Sequence, residues 1–60
     1  MGLTTIVRGK KIHIKYENIQ YYAIVGLVKV IDKDQDVLIH KLNVMADGMS
    51  EKFWKWVEVD

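Results

Sequence analysis

Two histidines, a run of alternating aspartates, a lysine-rich stretch and a tryptophan pair are the residues of this 60-residue chain with the most chemistry to offer. His13 and His40 are the side chains whose ordinary pKa lies near neutrality, the property that general acid–base work needs. His13 falls on the polar side of Lys11-Ile12-His13-Ile14-Lys15-Tyr16, a period-two pattern that predicts a solvated ring. His40 alternates with Leu38 and Leu42, which predicts a partly buried, hydrogen-bonded one. Neither belongs to a nucleophile–base signature, and the chain has no glycine-rich phosphate loop and no Walker-type lysine. The expectation is therefore a protein that is not an enzyme.

Asp32, Asp34 and Asp36 echo the start of a calcium loop, but Val37 stands where such a loop requires glycine. The aspartates read as a solvated turn, and neither metal nor cofactor is expected. Arg8, Lys10, Lys11, His13 and Lys15 form a basic hairpin. Cations that track phosphates beside aromatic rings that stack on bases are the tools of single-strand binding, so nucleic acid is one candidate partner. Lysines on an edge strand also prevent strand-to-strand aggregation.

Trp54 and Trp56 lie two residues apart. On a strand both rings share one face with Lys52 and Glu58, while Phe53, Val57 and Val59 take the opposite, core-like face. Tryptophan is enriched in interface hot spots, so these two, joined by Tyr21 and Tyr22, are the expected protein-binding residues.

The elements that must position these groups are legible mostly as strands, because β-branched and aromatic residues dominate between the turn signals. Residues 3–8 read as a first strand, Gly9-Lys10 as a turn and residues 11–16 as a second strand. Residues 21–31 read as a central strand bent at Gly26, and residues 32–36 as an acidic turn. A fourth strand over residues 37–46, a hairpin at Asp47-Gly48 and a last strand over residues 49–59 complete the set. An alternative reading has Asp36 capping a helix with Leu38, Ile39, Leu42 and Met45 on one face, and Ser50 capping a short helix through Phe53 and Val57.

The fold class expected is all-β, a five-stranded antiparallel meander or small barrel; the alternative is a β-sheet with one short C-terminal helix. The segment Gly26-Leu27-Val28-Lys29-Val30-Ile31-Asp32, followed by Val37-Leu38-Ile39, resembles the strand–acidic turn–strand element of SH3-like and Sm-like barrels.

Composition bounds the rest. Half the residues are hydrophobic and 28% are charged, the balance of one folded domain. A chain this short buries only about 60% of the surface its unfolded form exposes. With no cysteine to staple it, association into a homodimer or larger oligomer is expected. The net charge of +1 hides an asymmetry: residues 1–30 carry net +4 and residues 31–60 net −3. The longest apolar run, residues 23–28, is far short of the roughly 20 residues of a membrane span. No basic segment leads into an apolar one near Met1. A cytoplasmic binding module is the resulting expectation, of the adaptor or inhibitor kind that phage and other mobile elements encode, with another protein as first-choice partner.

Overall fold

A computed structural model describes residues 3–60. Four strands, β1 (Leu3–Val7), β2 (Lys10–Glu17), β3 (Gln20–Val25) and β4 (Val28–Asp32), are followed by two helices, α1 (Gln35–Asp47) and α2 (Glu51–Trp56). The strands form one antiparallel sheet in the order β1-β2-β3-β4. The five-stranded barrel is not formed: the sheet is open, with four strands, and the sheet-plus-helix alternative comes nearer, with two helices rather than one.

Each hairpin turns in two residues, and each turn obeys the sign rule for such loops. Arg8 and Gly9 have φ of 47° and 80°, and Asn18 and Ile19 have φ of 54° and 62°. Positive φ at both central positions is the type I′ signature. In the third turn Gly26 alone is positive, at 62°, the type II′ pattern. The stretch 21–31 is thus two strands, with Gly26 at the hairpin between them instead of a bend inside one.

Two caps turn the last third helical. The Asp34 carboxylate accepts the backbone N–H groups of Asp36 at 2.9 Å and Val37 at 3.4 Å, satisfying donors that have no partner in the first turn. Leu38, Leu42 and Ala46, spaced by four, form the buried stripe of α1. The exposed Val37 and Val44 are tolerated, because a β-branched residue in a helix forfeits only about 0.5 kcal/mol. The cap is Asp34, not Asp36. Gly48 ends α1 in a right-handed conformation, φ −78°, so Asp47-Gly48 makes no hairpin. Ser50 Oγ then accepts the Phe53 N–H at 3.1 Å and starts α2.

The core brings Val7, Ile12, Ile14, Ala23 and Val25 of the sheet against Leu38, Leu42 and Ala46 of α1 and Trp54 of α2. The strand face opposite the helices carries Lys11, His13 and Lys15 of β2, as the alternation predicts. β2 and β3 pair directly only from Lys15–Tyr22 to Glu17–Gln20. Beyond that they fork, and the end of the chain fills the gap: Val59 bridges Val25, Gly26 N–H donates to the Glu58 carbonyl, Asp60 N–H to the Ile24 carbonyl and His13 N–H to the Asp60 carbonyl. The last strand expected over residues 49–59 is not formed: residues 51–56 are helical, and Val59 alone bridges the sheet. No helix among the described residues is long and apolar enough to cross a membrane.

Candidate interaction surface

The two tryptophans part company because their segment is helical. Residues two apart on a helix are about 200° apart around its axis, so no shared ridge exists. Trp54 turns into the core with 4% of its surface exposed, and its Nε1–H donates to the Val7 carbonyl at 3.3 Å. Trp56 is 79% exposed. Its neighbour on the helix surface is Phe53, three residues earlier and also exposed.

Phe53 joins Trp56 to a larger apolar surface. A cavity of about 260 Å³ lies between the β3–β4 turn and α2, lined by Val25, Gly26, Leu27, Val28, Met45, Met49, Phe53 and Val57. A second hollow beside it is lined by Ser50, Lys52, Phe53 and Trp56. Phe53 is common to both. Leu27, at the tip of the turn, is fully exposed, and Val28 is half-exposed. Reading residues 49–59 as a strand put Phe53 in the core and missed Leu27, Val28, Met45 and Met49 altogether. The signal that would have found Phe53 was the Ser50 cap followed by Phe53 and Trp56 at helical spacing.

Tyr21 and Tyr22 are not part of this surface, since they sit at the opposite end of β3 from Gly26-Leu27. Tyr21 stacks with Tyr16 across the sheet, centroids 4.8 Å apart and planes tilted by 60°. The Tyr22 ring is covered by the ammonium groups of Lys29 at 4.5 Å and Lys15 at 5.8 Å.

The basic hairpin is likewise divided. Arg8 Nη1 donates to the carbonyls of Ala46 at 2.6 Å and Met49 at 3.1 Å. Lys10 Nζ donates to the carbonyls of Val57 and Lys55 and lies 5.1 Å from the Trp54 ring centre. These two cations sit at the C-terminal ends of α1 and α2, where the helix dipoles are negative, and each bonds one carbonyl of the last turn and one just beyond it. A hollow of about 550 Å³ adjoins them, lined by Arg8, Gly9, Lys10, Glu51, Trp54 and Lys55, but both Arg8 and Lys10 are already committed to protein oxygens.

Lys11, His13 and Lys15 do share the open face of the sheet. Of these, Lys15 pairs with Asp60, whose carboxyl it holds below the usual value, and His13 contacts Thr4 Oγ1 through Nδ1 at 3.3 Å. His40, expected to be partly buried, is exposed on α1 because the helix turns it away from the Leu38–Leu42 stripe. The aspartates serve the chain itself: Asp34 caps α1, and Asp32 accepts the Asp34 N–H at 2.9 Å. Lys41 pairs with Asp32 at 2.8 Å, and that hydrogen bond is the main reason the Asp32 carboxyl titrates below its ordinary range. Among the described residues no cluster of three potential ligands could hold a metal ion. No protein-family model, curated protein or solved structure matches the chain.

Proposed function

We propose that this protein is a non-enzymatic binding module that holds another protein through the surface formed by Leu27, Val28, Phe53 and Trp56. One observation carries the reading: an exposed tryptophan and an exposed phenylalanine flank an apolar cavity whose rim carries a fully exposed leucine. Large exposed apolar residues gathered in one place mark interaction sites on small monomers, and tryptophan is the side chain most enriched among binding hot spots. Met45 and Met49 give the cavity a soft wall that adapts to a partner. At about 260 Å³ the cavity falls below the roughly 300–1,000 Å³ typical of metabolite sites. It suits one apolar side chain offered by an amphipathic segment of the partner. A small cytoplasmic adaptor or inhibitor, as phage and mobile elements encode, is the setting we favour.

The test is capture of partners from lysate by the wild type, Trp56→Ala and Leu27→Ser, each with and without nuclease. A protein retained by the wild type despite nuclease and about 0.5 M salt, and lost from both variants, supports the reading, since phosphate-driven complexes weaken steeply as salt rises. Identical capture by all three, or capture that nuclease abolishes, overturns it and favours the open sheet face with Lys11, His13, Lys15 and Lys29 as a nucleic-acid surface.

A further inference from the structure

We propose that two copies of the chain associate by pairing their β1 strands antiparallel, edge to edge, a surface separate from the Leu27–Trp56 cavity. The sheet has two edges, β1 and β4, and they are treated differently. On β4, Lys41 reaches over from α1, donates to the Ile31 carbonyl at 3.1 Å and pairs with Asp32. A lysine on an edge is a standard guard against strand addition. β1 reads Leu3-Thr4-Thr5-Ile6-Val7, with no charge and no proline.

Its free backbone groups follow from the turn. Val7 and Lys10 flank the two-residue loop Arg8-Gly9 and are therefore the hydrogen-bonded pair nearest it. Antiparallel pairs alternate, so Thr5–Ile12 and Leu3–Ile14 are hydrogen-bonded pairs too, while the N–H and C=O of Thr4 and Ile6 point away from β2. Among the described residues nothing hydrogen-bonds to those outward groups. The side chains of both residues are exposed, Ile6 by 58%.

The occupant that fits is a second copy. A two-fold register centred on Thr5 sets Thr4 of each strand opposite Ile6 of the other and satisfies every outward N–H and C=O of the two residues. Because β1 is uncharged, symmetric pairing places no like charges opposite one another, the usual penalty for self-pairing. Ile6 then packs beside Thr4 of the second copy and leaves water, which helps a domain too small to bury much apolar surface alone.

The experiment is amide hydrogen exchange and sedimentation of the full chain at about 20 μM and about 1 mM, with exchange at the Thr4 and Ile6 amides expected to slow roughly tenfold at the higher concentration as the mass doubles. The matched variant is Ile6→Glu. Ile6 faces Lys11 across the β1–β2 ladder, so the new carboxylate suits the monomer, but in the dimer it sets two carboxylates beside the two-fold axis. Loss of both signals in a variant that melts like the wild type supports β1 pairing. A monomer at about 1 mM overturns it, as does a dimer whose Thr4 and Ile6 amides ignore concentration. A dimer abolished by Trp56→Ala and not by Ile6→Glu also overturns it and moves self-association to the cavity surface. If Ile6→Glu does not fold, the concentration dependence of the wild-type amides decides alone.

Discussion

The Trp54 indole donates its Nε1–H to the carbonyl oxygen of Val7 at 3.3 Å, tying the last helix to the first strand. Val7 is fully buried, and the Trp54 ring lies beneath the Lys10 ammonium. Trp54 is thus a core residue with a satisfied polar handle, whereas Trp56, two positions on, is 79% exposed. Trp54→Ala is expected to cost about 3–5 kcal/mol, enough to unfold much of so small a domain. Trp56→Ala is expected to stay within about 0.5 kcal/mol of the wild type in stability while losing about 2 kcal/mol of partner binding. Thermal melts check the first pair of values. Fluorescence separates the rings: Trp56→Phe leaves blue-shifted emission that iodide does not quench, and Trp54→Phe leaves red-shifted, quenchable emission.

Ile19 occupies a conformation that suits it badly. Its φ is 62° and it is 77% exposed, so a β-branched residue sits in the left-handed region without burying its side chain in return. Asn-Gly is the preferred pair for a type I′ turn, and Asn18 is already in place. Ile19→Gly is expected to stabilise the fold by about 1 kcal/mol, raising the melting temperature by about 4–8 °C for a domain of this size. No rise in calorimetry means that the turn carries no strain.

Gly26 also has positive φ, but there space is not the obstacle. A Cβ at this position meets Val57 Cγ1 at 3.8 Å, an ordinary contact. The penalty of Gly26→Val is therefore conformational, about 1–3 kcal/mol, and is read as a shift of the urea midpoint. The same change at a bend facing a core wall would add a steric clash, so a much larger loss argues for tighter surroundings than these.

Arg8 holds the end of α1 through the Ala46 and Met49 carbonyls. Arg8→Ala is expected to cost about 1–2 kcal/mol of stability, through charge-assisted hydrogen bonds and the helix dipole. If Arg8 instead serves phosphate binding, the variant keeps its stability and loses nucleic-acid affinity, which a denaturation curve paired with a binding titration reveals.

Asp32 and Asp60 each add a pH-dependent contribution to stability. Hydrogen bonds from Lys41 and Lys15 hold their carboxyls below the ordinary value of 3.8. A group whose folded pKa is depressed stabilises the fold fully above its unfolded pKa and loses that contribution as pH falls through the folded value. The stability difference between wild type and Asp32→Asn should accordingly be constant above about pH 5 and shrink below pH 4, with salt diminishing it because the pair is near the surface. A difference that persists unchanged at about pH 2 removes the ion pair as its cause.

The first two strands and the faces of the second are legible in the sequence, whereas the hairpin at Gly26 is not, being read as a bend within one strand. Alternation in residues 11–16 put Ile12 and Ile14 inward and Lys11, His13 and Lys15 outward, as the sheet has them, because a strand reports its buried face at a period of two whatever it packs against. The last third was ambiguous for a physical reason. Val37, Ile39 and Val44 in residues 37–46, and Val57 and Val59 near the end, favour strands by local propensity, yet both segments also carry apolar residues at helical spacing behind Asp34 and Ser50. Propensity differences of a few tenths of a kcal/mol per residue are outweighed once caps satisfy the first turn and Leu38, Leu42 and Ala46 find the sheet. That choice belongs to the tertiary structure, and the candidate site followed it. Whether Trp54 and Trp56 share a face, whether Phe53 is core or surface, and whether Arg8 and Lys10 face solvent or two helix ends are all set by where α1 and α2 lie. Leu27, Met45 and Phe53 are distant in sequence, and only the docking of the helices beside the β3–β4 turn brings them around one cavity.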